Sequence, residues 1–578
     1  MSVGADRLRE ALERAAHAVA GEAAAGVAVQ LERPKDEGHG DLATNLAMQL
    51  AGRLRRKPRD VADALTSNLA SQADLADLLD RVEVAGPGFI NFWLHEAAVT
   101  DVLSDVIAAG AGYGVSAPRS ALRINVEFVS ANPTGPLHVG HGRGAALGDA
   151  IAALLEAAGH TVTREFYVND AGLQIEKLAK SLWARVQQAV GRDAEIPEGG
   201  YHGDYLRELA DDILRSMGDE FADQPAEEAL VTCREIAVSH ERERQVQDLK
   251  EFGVTFDVFY NESTLYQDGE IEATLSELAD KRLTYDEEGA LWLRTSQFGD
   301  GKDRVLRKSD GTFTYFLPDI AYHRTKAARG YQRAIDVWGA DHHGYVARMA
   351  SALRSLGLPD DFFHAELVQL VKIVRGGEEL RFSKRSGEFV TLRDLYEETG
   401  VDAARYFFLM RRSDQQFVFD IDLATKQSEE NPVYYVQYAH TRMAGIFRNA
   451  EVEPKEIAVE AAEAAGAAGE GGPAAAAVLV AGKPADLTLL TEPAEQDLLK
   501  RLAEFPDVVA RAVDALEPHR VVNYLDEVSQ LVNAWYHHHR VLGVGEELER
   551  ARLVLARAAQ LVLANALALL GVSAPQRM

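Results

Sequence analysis

The chain has 578 residues, more than one hydrophobic core can serve, so we expect about two to four domains. Its formal net charge of −29 disfavours non-specific coating of nucleic acid, and its single cysteine, Cys233, excludes an intramolecular disulfide and a zinc site built from several cysteines. The sequence shows no apolar run that we expect to span a bilayer and no signal-peptide core, which predicts a cytoplasmic protein without a membrane partner.

Residues 1–118 are predicted to form an N-terminal α+β module. An amphipathic helix opens it, and the stretch VEVAGPGFINFWL predicts a strand entered through a Pro-Gly turn. Arg55, Arg56 and Lys57 belong to a basic cluster between these elements. The cluster could contact RNA phosphate or could be a solvated helix end.

Strand and helix patterns alternate over residues 119–399, which predicts a Rossmann-type, doubly wound parallel sheet. LRINVEFV is the first strand, GAALGDAIAALLEAAG is the helix after it, and HTVTREFYV is the next strand. Charged helical patterns at about 175–252 predict an insertion on this sheet.

Residues 400–578 are predicted to form an all-α domain, because strand patterns fade after residue 400. Long helical patterns such as NPVYYVQYAHTRMAGIFRNA and ERARLVLARAAQLVLANALALLG fill it. An Ala- and Gly-rich stretch at about 456–486 interrupts these helices and predicts a loop.

The stretch SANPTGPLHVGHGRG lies directly between the first strand and the first helix of the predicted sheet. Folds of this kind bind ligands at the carboxyl ends of their strands. The glycines allow close approach of the backbone to a ligand, and the helix start directs amide groups and a positive dipole end to the same place. His138 and His141 can donate further hydrogen bonds, so the stretch predicts a phosphate site.

Other readings of this stretch are weaker. Two histidines three residues apart could be half of a metal site, but no HExxH motif, third histidine at metal spacing or cysteine ligand accompanies them. No P-loop pattern occurs, and the three glycines from 140 to 144 match GxGxxG poorly. We therefore predict no metal site belonging to the protein itself.

The letters HVGH resemble the HIGH signature of the class I aminoacyl-tRNA synthetases. A second stretch, GGEELRFSKRSG, follows a strand pattern far downstream and resembles the lysine-rich loop of the same enzymes. Arg381 and Phe382 stand where that family has Lys-Met, whereas Ser383 and Lys384 are retained. Whether Arg381 or Arg385 shares the charge of the replaced lysine is left open.

Longer stretches make the chain similar to the arginyl-tRNA synthetases over essentially its whole length. They are VEFVSANPTGPLHVGHGRG, REFYVNDAG, TYFLPDIAYH, WGADHHGY, VDAARYFFLM and the ending APQRM. The resemblance implies that the chain joins L-arginine to its tRNA through an arginyl-adenylate, using ATP with Mg²⁺ and releasing AMP and pyrophosphate. It also implies that the C-terminal helices bind the anticodon, and we expect a monomer.

The resemblance further implies the residues of each site. The catalytic residues are His138, His141 and Lys384. The ATP-binding residues are Pro133, Gly135, His138, Gly140, His141, Ser383 and Lys384. The arginine-binding residues are Glu127, Ser130, Asn132, Glu262, Tyr315, Asp319, Asp341 and His342. The tRNA-binding residues are Arg55, Arg56, Lys57, Tyr434, Tyr435, Gln437, Tyr438 and Arg442, with core packing as the alternative for some of the tyrosines.

Two rival functions remain at this point. The chain could be a class I synthetase for another amino acid, but a guanidinium needs planar, forked carboxylate partners, and Glu262 and Asp319 match that need. It could also be a catalytically silent RNA-binding relative, which only Arg381 and Phe382 favour. The retained His138, His141 and Lys384 argue against this second alternative.

Overall fold

The computed structural model describes residues 3–32, 34, 37–115, 120–170, 172–380, 390–460 and 477–578. The N-terminal helices are α1 (Val3–Ala20), α2 (Leu46–Leu54) and α3 (Pro58–Leu69), and the strands are β1 (Leu42–Thr44), β2 (Leu79–Ala85) and β3 (Phe89–Leu94). The strands pair antiparallel in the order β1-β3-β2, and the Pro-Gly turn joins two strands rather than only leading into one. Leu12, Leu50 and Phe92 belong to a core that this module forms by itself.

The middle of the chain begins with α4 (Glu96–Ala109) and continues as an α/β array. Its strands are β4 (Arg123–Glu127), β5 (Thr161–Val168), β6 (Val258–Asn261), β7 (Thr284–Glu287), β8 (Ala290–Leu293), β9 (Arg304–Arg307), β10 (Arg333–Gly339), β11 (Phe363–Val368), β12 (Val371–Arg375), β13 (Glu378–Glu379) and β14 (Phe417–Asp420). Its helices are α5 (Val139–Ala157), α6 (Leu173–Ala189), α7 (Tyr205–Met217), α8 (Ala226–Glu251), α9 (Glu262–Gln267), α10 (Glu270–Asp280), α11 (Phe316–Ala328), α12 (His343–Ser355), α13 (Leu392–Thr399), α14 (Val401–Leu409) and α15 (Ile421–Ala424).

The central sheet has the order β11-β10-β4-β5-β6, and every neighbouring pair is parallel. The chain therefore leaves β4 in one direction, toward β5 and β6, and later returns on its other side as β10. This confirms the predicted doubly wound fold, and the carboxyl end of β4 lies at the point where the strand order reverses. Helix α5 packs very closely on this sheet: a Cβ added at Gly148 would lie 2.2 Å from the Phe128 side chain.

The C-terminal helices are α16 (Pro432–Ala450), α17 (Pro493–Ala503), α18 (Phe505–Ala515), α19 (His519–His538) and α20 (Glu546–Leu569). The predicted helical C-terminal domain is confirmed, although short strands also follow residue 400. Strand β14 pairs parallel with β12, and β15 (Ile457–Glu460), β16 (Ala477–Val480) and β17 (Lys483–Pro484) form a small antiparallel sheet. Both ends of the predicted 456–486 loop are thus strands, and their residues Ile457, Val478 and Val480 are buried in the main core. Residues 461–476 lie outside the described part of the chain.

Helix α20 corrects a second expectation from the sequence. It is long and apolar enough to cross a membrane by length and composition, although no such run was predicted. In the structure, 67% of its most apolar window is buried inside the protein. Its apolar character therefore serves the packing of the C-terminal helices.

The first and last parts of the chain meet through α4, which packs against α17 and α20. The Tyr113 hydroxyl donates a hydrogen bond of 3.2 Å to the Leu502 carbonyl, and Asn565 Nδ2 donates to the Gly110 carbonyl at 2.9 Å. Arg405, which is fully buried, joins Asp149 of α5 at 2.6 Å to the Leu570 carbonyl at 3.0 Å. The predicted domain limits at 118 and 399 stay predictions.

Candidate active site

The backbone turns sharply at the carboxyl end of β4. Val129 has φ of 68° and Ser130 has φ of 40°, a left-handed conformation that is unfavourable for a β-branched residue such as valine. The Ser130 hydroxyl donates to Glu127 Oε1 at 2.9 Å and accepts the Tyr167 amide at 3.1 Å. These bonds hold a strained turn where the chain enters the glycine-rich stretch.

The HVGH turn forms the N-terminus of α5, which begins at Val139. Nδ1 of His138 accepts the Gly140 amide at 3.1 Å, and Nδ1 of His141 accepts the His138 amide at 3.2 Å. The two rings stack with their centroids 3.7 Å apart. Because each Nδ1 is an acceptor, each neutral ring carries its proton on Nε2, the nitrogen that can donate to a ligand.

A cavity of about 1230 Å³ opens over this turn. Its lining from the turn and from the facing strand consists of Asn132, Thr134, Gly135, Pro136, His138, Val139, Gly140, His141, Leu370 and Val371. Its lining from the helical insertion consists of Gln174, Lys177, residues 198–203, Tyr205 and Gln245. The volume suffices for a nucleotide, and the α5 N-terminus offers it a positive dipole end.

The structure brings four of the predicted ATP-binding residues into this lining: Gly135, His138, Gly140 and His141. Pro133 is buried and does not line the cavity. Ser383 and Lys384 lie outside the described residues, as do Arg381 and Arg385. In the described part of the chain, no group of three or more His, Cys, Asp or Glu side chains is placed to hold a metal ion.

A second, acidic site lies at the same edge of the sheet. Glu262 begins α9 directly after β6, and burial together with Asp319 and Asp170 raises its pKa to about 7. Asp319 lies in the first turn of α11, and burial raises its pKa to about 6. Asp319 lies close enough to Glu262 to raise its pKa, and two neighbouring carboxylates form a site that favours a positively charged ligand.

Each of these carboxylates is held by a tyrosine that the sequence did not indicate. The Tyr345 hydroxyl donates to Asp319 Oδ2 at 2.5 Å, and the Tyr167 hydroxyl forms a hydrogen bond with Glu262. Both tyrosines fall within stretches that carry the family resemblance, REFYVNDAG and WGADHHGY. Their spacing gave no signal of their partners, because the contacts run between distant elements.

Three residues predicted to bind arginine are exposed. Tyr315 is 79% exposed and stands just before α11. Asp341 and His342 follow β10 with side chains 85% and 57% exposed. One helical turn does link Tyr315 and Asp319 through their backbones, but their side chains separate because Tyr315 precedes the first full turn of α11.

Glu127 lies beneath the site rather than open to it. Its Oε2 accepts Lys326 Nζ at 2.6 Å, and its Oε1 accepts the Ser130 hydroxyl. Lys326 also contacts Asp336 at 2.8 Å, and His323 contacts Asp336 at 2.7 Å. Lys326 and His323 lower the pKa of Asp336 to about 2, whereas burial raises the pKa of Glu127. Both oxygens of Glu127 are therefore already bonded within the protein.

Some of the residues predicted to contact RNA are exposed, whereas others already contact neighbouring side chains. Arg55, Arg56 and Lys57 are exposed around the end of α2. On α16, the rings of Tyr434 and Tyr438 stack 5.9 Å apart and the Arg442 guanidinium lies 4.3 Å from the Tyr438 ring. Tyr435 is only half-buried on the same helix, and Tyr536 of α19, which the sequence did not single out, lies 5.3 Å from Arg442.

Gln437 corrects the prediction for this helix. Its side chain is buried, and Nε2 donates to Asp402 Oδ2 at 2.7 Å and to the Ser573 carbonyl at 3.0 Å. Gln437 therefore fastens the C-terminal segment to α14, and its buried side chain does not support the predicted RNA contact.

Comparisons with known proteins agree with this architecture. Family models match three successive parts of the chain: an arginyl tRNA synthetase N-terminal domain at residues 5–94, a class I tRNA synthetase (R) catalytic domain at 103–440, and a DALR anticodon binding domain at 436–578. An arginine–tRNA ligase from Bordetella pertussis is 48% identical over 95% of this chain and 95% of that protein. Arginine–tRNA ligase 1 from Halalkalibacterium halodurans is 44% identical over 95% of this chain and 94% of that protein. The arginyl-tRNA synthetase structure from Thermus thermophilus has a TM-score of 0.76 at 24% identity and covers 99% of this chain and 100% of that one, which shows the shared fold.

Proposed function

Since this chain belongs to the arginyl-tRNA synthetases, we propose that it activates arginine at the cavity over the HVGH turn and in the acidic site beside it. It is a class I arginine–tRNA ligase, which attaches arginine to tRNA through an adenylate. We also propose the roles of particular residues given below, that ATP is used with Mg²⁺, and that the enzyme is a cytoplasmic monomer.

The observation that carries the arginine assignment is the pair Glu262 and Asp319. The pKa of each carboxylate is raised, and a hydrogen bond with a tyrosine hydroxyl fixes the orientation of each side chain. A guanidinium offers donors in a planar fork and stays protonated at all relevant pH, so it can bridge two such carboxylates. Lysine, a compact charge with a different reach, cannot reproduce that geometry.

ATP binds in the neighbouring cavity as its magnesium complex. The arginine carboxylate attacks the α-phosphorus, a carboxylate oxygen–phosphorus bond forms, and the bond from the α-phosphorus to the bridging oxygen breaks to release pyrophosphate. The protonated Nε2 atoms of His138 and His141, together with the amides at the start of α5, stabilise the charge that develops on the phosphates. Lys384 and Ser383 are proposed to do the same from the other side.

In the second step, a ribose hydroxyl at the 3′ end of tRNA attacks the arginyl carbonyl carbon. The ester forms and AMP leaves. No protein nucleophile is needed, since the work is positioning and charge stabilisation. The exposed Arg55, Arg56 and Lys57 are proposed to contact tRNA phosphates, and the stacked Tyr434, Tyr438 and Arg442 are proposed to contact unstacked bases.

The test is arginine-dependent exchange of labelled pyrophosphate into ATP, measured with and without total tRNA and with lysine as the control amino acid. We expect exchange with arginine and none with lysine. Exchange only when tRNA is present would show that tRNA binding completes the site. If folded protein catalysed no exchange with arginine in either condition, the residue roles proposed here would fail.

A further inference from the structure

Helix α8 of the insertion has a buried polar face that is directed at the ATP cavity. Gln245 is only 3% exposed, Asp248 is fully buried, and the two lie one turn apart. Burying an amide and a carboxylate costs free energy unless each finds fixed partners. The partners of Gln245 lie in the glycine-rich stretch before the HVGH turn, and the partner of Asp248 lies at the start of α13.

Gln245 holds the glycine-rich stretch before the HVGH turn. Its Nε2 donates to the Asn132 carbonyl at 3.0 Å and to the Gly135 carbonyl at 2.8 Å, which uses both of its hydrogens. Tyr205 of α7 donates its hydroxyl hydrogen to the Thr134 carbonyl between them at 2.7 Å. Three carbonyls within four residues are therefore fixed from the insertion, and all three of those residues line the cavity.

Asp248 holds the other flank. Its Oδ1 accepts both Nε and Nη2 of Arg393, at 2.9 and 2.6 Å. Arg393 lies at the start of α13, where the Leu392 amide also donates to the Leu137 carbonyl at 2.8 Å. Helix α8 thus positions both the stretch before His138 and helix α13, whose Leu392 amide is bonded to that stretch.

We propose that α8 is a strut for the ATP site, with Gln245, Tyr205 and Asp248 as positioning residues for adenylate formation. The insertion has an apolar core of its own, which includes Leu178, Leu206 and Phe221, so these polar contacts are additional to its packing. The polar contacts instead fix the backbone of residues 132–135 from the side of the insertion. This inference rests on the proposed binding of ATP at that stretch.

The central test is Gln245→Ala, with Gln247→Ala as its matched control. Gln247 is an exposed glutamine of the same helix and bonds Glu251 within that helix. In the pyrophosphate exchange assay with tRNA, we expect Gln245→Ala to raise the ATP KM about tenfold, since two carbonyls lose their donor. The arginine KM should stay within about twofold, and Gln247→Ala should match the parent.

Two milder variants keep the test decisive if Gln245→Ala does not fold. Tyr205→Phe removes one hydroxyl without changing shape, and we expect the ATP KM to rise about threefold. Asp248→Asn, compared with the exposed Glu243→Gln, should lower kcat for exchange with little change in the arginine KM.

The melting temperature of each variant separates positioning from simple packing. If the variants had lower melting temperatures but kept the parental ATP KM and kcat, the proposed positioning role of α8 would be refuted. A parent that fails to exchange at all would overturn the proposed function instead, so the two failures can be told apart.

Discussion

Replacing Asp319 by asparagine removes one of the two charges that face the guanidinium while keeping the shape of the side chain. Hydrogen bonds between charged groups contribute about 1.5–3 kcal/mol each, and a forked contact contains two of them. Part of the loss is recovered, because Asp319 is one of the causes that raise the pKa of Glu262, and its removal leaves Glu262 more fully ionised at neutral pH. The net loss in arginine binding should be about 3 kcal/mol, which is roughly a hundredfold.

The assay is pyrophosphate exchange in the presence of tRNA, with the arginine and ATP concentrations varied separately. The arginine KM should rise about a hundredfold and the ATP KM should stay near the parental value. Asp280→Asn, at an exposed carboxylate at the end of α10, is the matched control and should change neither. A parental arginine KM in Asp319→Asn would remove Asp319 from the binding site, and an equal rise in both KM values would show that the substitution had disturbed the fold.

Four further outcomes are expected. First, kcat/KM for arginine should rise as pH increases from about 5.5 to 8, because the raised pKa values of Glu262 (about 7) and Asp319 (about 6) mean that acid protonates the carboxylates and removes their attraction for arginine; a flat profile would contradict it. Second, Tyr345→Phe should raise the arginine KM about tenfold with little change in kcat, since the bond that orients Asp319 is lost; calorimetric titration with arginine checks it, and unchanged affinity would show that Asp319 orients itself. Third, His141→Ala should slow exchange about a hundredfold while arginine binding persists, and a matching loss of arginine binding would count against its role toward phosphate. Fourth, Tyr438→Ala should raise the tRNA KM about tenfold, because a stacked base contributes about 1–3 kcal/mol, whereas exchange at saturating tRNA should be unchanged; an unaltered tRNA KM would assign this ring to packing.

The sequence predicted the fold of the catalytic part because its elements are long and periodic. Apolar residues recur with a clear strand period before residue 128 and with a clear helix period after His138. The alternating order of strands and helices then favours a parallel sheet. The short strands near Ile457 and Val478 were missed because they become strands only by packing into a distant core. Ile457 and Val459 do alternate with more exposed residues, but this pattern is too short to stand out beside the alanine- and glycine-rich residues that follow it.

The site was predicted only as far as motif and chemistry reach. His138 and His141 are three residues apart in sequence and stack in space, so the cavity over them could be foreseen. Tyr345, by contrast, bonds a carboxylate 26 residues earlier on another helix, and no local pattern encodes such a contact. The burial of Gln437 against the C-terminal segment has the same cause, since its partner Ser573 lies 136 residues away.

The apolar interior beneath the central sheet runs without a break into the C-terminal helices, whereas the N-terminal module has an interior of its own. Val102 of α4, Phe128 of the sheet and Trp535 of α19 belong to one continuous cluster, and the buried Arg405 ties α5 to the end of α20 within it. We therefore expect the C-terminal helices and the catalytic part to unfold together and not as independent units. We expect the first module, with its separate interior, to behave as an interchangeable unit that could be lost or replaced while the rest of the molecule stays folded.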